Sequence, residues 1–167
     1  MGFTARELRD ALGQFATGVC IIAANPPGYK PLGMTVNSFA SVSLEPALVL
    51  WSLQKDSECM DAFGAAKQFS VNVLALHQKE QSIRYAKKGD HELQEMDFRI
   101  GKSGCVVLRS ALSSFECSVH SRIDGGDHII MLGNVQEVIA APTGKPLLFH
   151  GGQYRELLAN ERIAYTD

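Results

Sequence analysis

The chain has no apolar stretch that approaches the ~18 residues a membrane-spanning helix requires, and its opening M-G-F-T-A-R-E-L-R-D lacks the apolar core of a secretory leader. A cytoplasmic protein with no membrane partner is the expectation. Basic residues are no commoner than acidic ones, 16 against 18, and no run of Lys and Arg stands out. A net charge of -2 therefore offers no footprint for a nucleic-acid partner. Cysteine is sparse: Cys20, Cys59, Cys105 and Cys117 form no C-x-x-C pair and have no histidine at finger-like spacing, so they read as buried, reduced thiols. The histidines at 77, 91, 120, 128 and 150 each stand alone, so no metal site is expected. Glycines occur as G-Y-K-P-L-G, G-K-S-G and H-G-G-Q, never as G-x-G-x-x-G between a strand and a helix. The usual dinucleotide fingerprint is thus missing, as are G-x-S-x-G, the P-loop and H-E-x-x-H. Ester hydrolysis, NTP hydrolysis and zinc proteolysis lose their commonest signatures.

What is present is enough apolar material for one core. With 167 residues, 46% hydrophobic and 20% charged, the chain reads as a single domain over 1–167. T-A-R-E at Thr4–Glu7 has capping-box spacing, and Leu8, Leu12 and Phe15 recur at helical intervals, predicting an amphipathic helix that packs one face inward and ends near Gly18. D-S-E-C-M-D-A-F-G-A-A-K predicts a second helix capped by Asp56 or Ser57, and H-Q-K-E-Q-S-I-R-Y-A-K-K-G a third, stopped by Gly89. The other elements read as strands: V-C-I-I-A-A, the region Gly33–Ser43, A-L-V-L-W-S-L, F-S-V-N-V-L-A-L, S-S-F-E-C-S-V-H-S-R-I and H-I-I-M-L-G-N-V-Q-E-V-I-A-A. N-P-P-G, L-E-P, I-D-G-G-D and A-P-T-G-K-P punctuate them. The class is mainly β with a few helices, an antiparallel barrel rather than a doubly wound sheet.

One strand candidate is unusual. Gly33–Ser43 carries Thr35, Asn37, Ser38, Ser41 and Ser43 and no charge, and is followed after L-E-P-A by the apolar L-V-L-W. A surface loop would ordinarily carry Lys, Glu or Asp. Neutral hydroxyls and amides suit a ligand whose polar edge is hydrogen-bonded without strong charge, and they also suit an ordinary Ser/Thr-rich strand end.

Five pieces in order carry a resemblance: Q-F-A-T-G-V near residue 14, G-M-T-V-N-S-F-A-S-V-S-L-E-P-A-L-V-L, F-S-V-N-V-L-A, G-D-H near residue 127, and P-L-L-F-H-G-G-Q-Y near residue 146. From about Leu8 to Leu157 the chain resembles the short-chain flavin reductases, the reductase components of two-component flavin-dependent monooxygenases. The resemblance implies an FMN-binding split β-barrel, a homodimer, and hydride transfer from NADH or NADPH to FMN or FAD. Reduced flavin would then diffuse to a separate oxygenase. The hydroxyl-rich segment acquires a purpose under that reading, because the isoalloxazine ring presents neutral donors and acceptors along its edge.

The resemblance also implies site residues. Thr35, Val36, Asn37, Ser38 and Ser41 match the flavin-contacting motif, with Asn37 and Ser38 the leading candidates; Val36 stands where many relatives have Ala. Ser52 and Ser57 fall where relatives contact flavin, Ser57 as a phosphate ligand at a helix start or simply as that helix's cap. Arg84 and Lys88 belong to a segment near the flavin phosphate, or to a solvated face. His128 is placed close to the nicotinamide, with Asp127 orienting its ring or capping the turn, and hydride transfer asks no general base of it. His150 and Tyr154 lie in the closing F-H-G-G-Q-Y, where the tyrosine stacks on a ring or marks an ordinary turn. Phe63 is a flavin-edge contact or core, and Trp51 reads as core. Two other classes share this barrel: a flavin-retaining sensor or electron-transfer protein, and a relative of the pyridoxamine-phosphate oxidases. FMN against FAD and NADH against NADPH stay open.

Overall fold

One short strand buried on both faces organises the molecule, whose computed structural model describes residues 2–140 and 143–157. The elements in chain order are α1 (Ala5–Leu12), β1 (Thr17–Gly18), β2 (Cys20–Ala24), β3 (Leu32–Val36), β4 (Ala40–Leu44), β5 (Ala47–Gln54), α2 (Met60–Ala65) and β6 (Gln68–Val73). A 3-10 turn at Leu76–Gln78 leads into α3 (Lys79–Arg84), then β7 (Phe98–Ile100), β8 (Val106–Leu108), β9 (Ser113–Gly125), β10 (His128–Ala140), β11 (Leu148–His150) and β12 (Gln153–Arg155). The main sheet runs β3-β2-β6-β9-β10-β5-β4, with every pairing antiparallel, and small sheets β1-β11-β12 and β7-β8 lie beside it. The class is thus mainly β with three α-helices, and among the described residues the sheet does not close on itself.

Every residue of β2 is buried because the sheet is covered on both faces. Cys20, Ile22 and Ala24 join Trp51, Phe63, Phe69 and α2 on one side. Val19, Ile21 and Ala23 join Tyr85, Leu93, Val106, Leu108 and Leu147 on the other. Two opposite faces from one strand are the period-2 geometry of the pleat, and burial on both is why its sequence is a continuous apolar run. Trp51 sits edge-on to both Phe63 and Phe69, at 5.1 and 5.8 Å between centroids. The four cysteines are free and buried, and burial pushes Cys20 and Cys117 up to about 12.

The helices depart from the sequence reading. The capping box forms, with the Glu7 N-H donating to Thr4 Oγ1 at 3.2 Å and the Thr4 N-H to Glu7 Oε2 at 2.7 Å. The helix, however, ends at Leu12 against Gly13, a poor helix former. None of its residues is buried, and the apolar face expected to pack inward is exposed, Leu12 by 66% and Phe15 beyond it by 78%. The second helix starts at Met60, because Ser57 Oγ accepts the Cys59 N-H at 3.2 Å and shapes a turn instead of a cap. The third is confined to Lys79–Arg84, with Gly89 in a left-handed turn at φ +78. The Gly33–Ser43 strand is two strands, β3 and β4, broken at residues 37–39. The β7-β8 hairpin had no counterpart in the pattern reading. Ala141, the last residue of one strand candidate, lies outside the described residues.

Two buried polar groups fasten that hairpin. Asn72 of β6 donates to Ile21 O and Ser70 Oγ and accepts from the Leu108 N-H and the Ser114 hydroxyl. Glu116 of β9, fully buried, accepts the N-H groups of Lys102 and Ser103 at 3.0 and 2.9 Å, and the Ser103 hydroxyl. Burial alone would raise the Glu116 carboxyl; the hydrogen bonds from Ser103 and from the neighbouring backbone outweigh it and hold the group below the ordinary glutamate value. A depressed folded value stabilises the fold above the unfolded value, about 4.3, and that stability is lost as pH falls through the folded one. Glu116→Gln, whose amide would set N-H against N-H, is expected to cost about 1–3 kcal/mol at neutral pH. The cost should shrink below about pH 4, as urea denaturation across pH would record. A gap independent of pH would contradict the assignment.

Candidate functional site

The break between β3 and β4 opens a cleft of about 400 Å³. One wall is the end of β3, Met34 to Val36, continued by Asn37 and Ser38. The opposite wall is the end of β5, Ser52 and Gln54, with the turn Asp56–Glu58. Tyr85, Ala86, Lys88 and His91 close the third side, and His128 contributes from the start of β10, where its register partner is Gln54. A hollow of about 180 Å³ shares Thr35, Val36, Asn37 and Ala86 and adds Val19, Phe149 and Tyr154. A third, about 550 Å³, lies between the end of α1 and the β11-β12 turn and also reaches Asn37.

Local hydrogen bonding builds these walls. The β3 edge is satisfied by the segment after α3, with the Gly33 N-H on His91 O at 2.8 Å and the Thr35 N-H on Tyr85 O at 3.1 Å. Thr35 Oγ1 donates to Ser82 O at 2.7 Å, and Ser82 Oγ meets Tyr154 OH at 2.8 Å. Those contacts tie β3, α3 and β12 into one brace. Ser38 Oγ accepts the Ser52 N-H at 3.0 Å, holding the broken segment against β5. Asn37 is exposed, and its amide makes no hydrogen bond among the described residues. It stands where the three hollows meet.

The charged groups pair among themselves. Glu58 takes His91 Nε2 at 2.9 Å and the Gly89 N-H, and Arg84 lies on Asp90 at 2.9 Å and over the Tyr85 ring. His128 Nδ1 meets Asp127 Oδ1 at 2.7 Å; the hydrogen bond from His128, and then its charge, hold the Asp127 carboxyl below its ordinary value. In a neutral ring, an Nδ1-H given to Asp127 would leave Nε2 as an acceptor.

Of the residues singled out from sequence, Thr35, Val36, Asn37, Ser38, Ser52, Ser57, Lys88 and His128 come together on the main cleft, and Tyr154 joins through the adjoining hollow. Ser41 faces outward on β4 beside Val49. Phe63 is fully buried against Trp51, which places it in the core and not at a ligand edge. Arg84 is held by Asp90 outside the lining, Asp127 stands behind His128, and His150 pairs with Gln153 across the β11-β12 turn. Ser57 lines the cleft without capping a helix, so the helix-start argument for a phosphate there falls. Sequence reasoning passed over Gln54, Asp56, Glu58, Tyr85, Ala86 and His91. The acids flanking Ser57 in D-S-E were the available signal.

At a strand break the antiparallel sheet carries a cleft whose β3 and β5 walls present amides and hydroxyls and whose Asp56–Glu58 turn brings charge. The model of the flavin reductase like domain family matches residues 12–158, and the chain belongs to that family. It is 42% identical over 153 residues to "FMN reductase (NADH) SmoA" of Agrobacterium fabrum, covering 92% of this chain and 86% of that one. It is 38% identical over 151 residues to "Flavin-dependent monooxygenase, reductase subunit HsaB" of Mycobacterium tuberculosis, covering 89% and 80%. The solved structure of the Streptomyces globisporus NADH:FAD oxidoreductase SgcE6, in complex with NAD and FAD fragments, superposes with a TM-score of 0.87 at 34% identity, covering 94% of each chain. Against a further relative, 41% identical, the chain spans about half of that protein's length. Among the described residues no helix is long and apolar enough to cross a membrane, and no group of three His, Cys, Asp or Glu is arranged to hold a metal ion.

Proposed function

We propose that this chain is an NAD(P)H:flavin oxidoreductase that transfers hydride from NADH, or NADPH, to FMN or FAD and supplies reduced flavin to a separate monooxygenase. The observation that carries the reading is the unengaged Asn37 amide at the meeting point of three hollows, beside the hydroxyls of Ser38 and Ser52 and the backbone of β3. Neutral donors and acceptors in that density match the edge of an isoalloxazine ring. When bound, the flavin supplies a hydride acceptor and the pyridine nucleotide the donor. The chain's own task is to hold two flat rings in register and exclude water between them.

Asn37 and Ser38 fix the ring edge in this reading, Thr35 and Val36 form its floor, and Tyr154, braced by Ser82, walls the far side. His128 offers Nε2 to a carboxamide N-H, with Asp127 setting the tautomer. Because β10 register places His128 across from Gln54, its position is at the same end of the cleft as Ser57. Ser57 and Lys88 border the end that a ribityl phosphate would reach. The finer architecture is a split barrel, supported by the seven-stranded antiparallel sheet whose β2 is buried on both faces. A homodimer is supported by the uncovered apolar residues of α1 and Phe15.

The test is steady-state NADH and NADPH consumption by the purified protein, alone and then with riboflavin, FMN or FAD. Saturable oxidation that requires added flavin is the expected result. Retained flavin with no consumption of either nucleotide would turn the reading to a sensor or electron carrier, and oxygen-dependent loss of pyridoxamine phosphate would turn it to an oxidase.

A further inference from the structure

The end of the cleft where a flavin phosphate would lie is already furnished with anions. Asp56 and Glu58 flank Ser57 on the lining, and Asp127 sits behind His128. The donors that ordinarily bind phosphate are engaged by these and neighbouring carboxylates. The Gly89 N-H and His91 Nε2 are on Glu58, the Arg84 guanidinium is on Asp90, and His128 Nδ1 is on Asp127. The Cys59 N-H is taken by Ser57 Oγ, and Lys55 beside the turn is on Asp124 at 2.6 Å. Lys88 is the one lining cation with no carboxylate partner among the described residues, and the Asp56 carboxylate likewise has none. Two lining carboxylates, Asp56 and Glu58, thus face one lysine, with Asp127 outside the lining behind His128.

The geometry points to a site that selects flavin by its ring and disfavours a terminal phosphate, so that FMN is the poorest of the three common flavins. This rests on the flavin-reductase reading above. The chemistry separates the three ligands. FMN ends in a phosphate monoester carrying close to two negative charges at neutral pH, its second pKa being about 6. Riboflavin has no phosphate, and FAD spreads its charge over a diester pyrophosphate with one charge on each phosphorus. Like charges across a solvated cleft repel weakly, which sets the scale at about threefold to tenfold.

Flavin dissociation constants from fluorescence-quenching titration, with kcat/KM for each flavin under NADH, test this. Riboflavin and FAD are expected to bind about threefold to tenfold more tightly than FMN at low ionic strength. Raising salt to about 0.3 M should tighten FMN while leaving riboflavin unmoved, because screening removes a repulsion. A phosphate site built on cations would respond with the opposite sign. Asp56→Asn is expected to narrow the FMN-to-riboflavin gap by about threefold, and Glu58→Gln should narrow it in the same direction. FMN binding that is tightest of the three, or that weakens with salt, overturns the inference while the reductase reading stands. Flavin binding without flavin-dependent NADH oxidation overturns the reductase reading, and the order of the binding constants still decides the selectivity.

Discussion

Asn37→Ala is expected to weaken flavin binding and lower kcat/KM for flavin by about fivefold to thirtyfold, while stability changes by less than about 0.5 kcal/mol. The two halves of that result come from one observation. The Asn37 side chain is exposed and satisfies nothing within the described residues, so its removal orphans no partner in the free protein. Its amide offers both a donor and an acceptor at the junction of three hollows. Two neutral hydrogen bonds to a ring edge are worth about 1–2 kcal/mol together, and 1.4 kcal/mol is tenfold. The neighbouring Ser38 makes the contrast. Its hydroxyl accepts the Ser52 N-H, so Ser38→Ala removes a strand brace and should cost stability as well as affinity. Flavin titration by fluorescence quenching and urea denaturation separate the two variants. Asn37→Ala with unchanged flavin affinity would remove the residue from the site.

Much of this was visible in the sequence because it rests on local pattern. The continuous apolar run V-C-I-I-A-A reads as a strand, and β2 is that strand, covered on both faces. The neutral polar groups from Thr35 to Ser38 mark the cleft wall, whereas Ser41 of the same stretch faces outward on β4. The pattern could not show that the strand breaks at residues 37–39, because Ser38 is held by Ser52, fourteen positions away. The charged pairs that furnish the cleft were hidden for the same reason. Glu58 meets Gly89 and His91 across 31 and more residues of chain. Arg84 read as a cation near a phosphate because nothing local announced that the Asp90 carboxylate would turn back onto it. The first helix erred in another way. Its amphipathic period holds, but period alone does not say whether the apolar face is covered within the same chain. Leu12 and Phe15 are uncovered here.

The largest effect on stability is expected at Asn72, outside the cleft. Its side chain is fully buried and uses donor and acceptor alike: Ile21 O at 3.0 Å, Ser70 Oγ at 2.8 Å, the Leu108 N-H at 3.0 Å and the Ser114 hydroxyl at 2.8 Å. Asn72→Leu preserves volume approximately and removes every one of these bonds. The Leu108 N-H and the Ser114 hydroxyl then lie buried without this acceptor, at about 1–3 kcal/mol each, so a loss of about 3–5 kcal/mol is expected. For a chain of this length that is a fall of about 10 °C in Tm. Ser114→Ala deletes one member and leaves Asn72 on Leu108, so it should cost about 1 kcal/mol. The consequence reaches the cleft because β8 packs with Ile21 and Tyr85 in one cluster, and Tyr85 both lines the cleft and receives the Thr35 N-H on its carbonyl. A hairpin loosened at Leu108 would let the third wall move, so flavin affinity should fall alongside stability in Asn72→Leu and stay near wild type in Ser114→Ala. Urea denaturation with flavin titration on both variants reads the ordering. Equal costs for the two would mean that the network is not centred on the amide of Asn72.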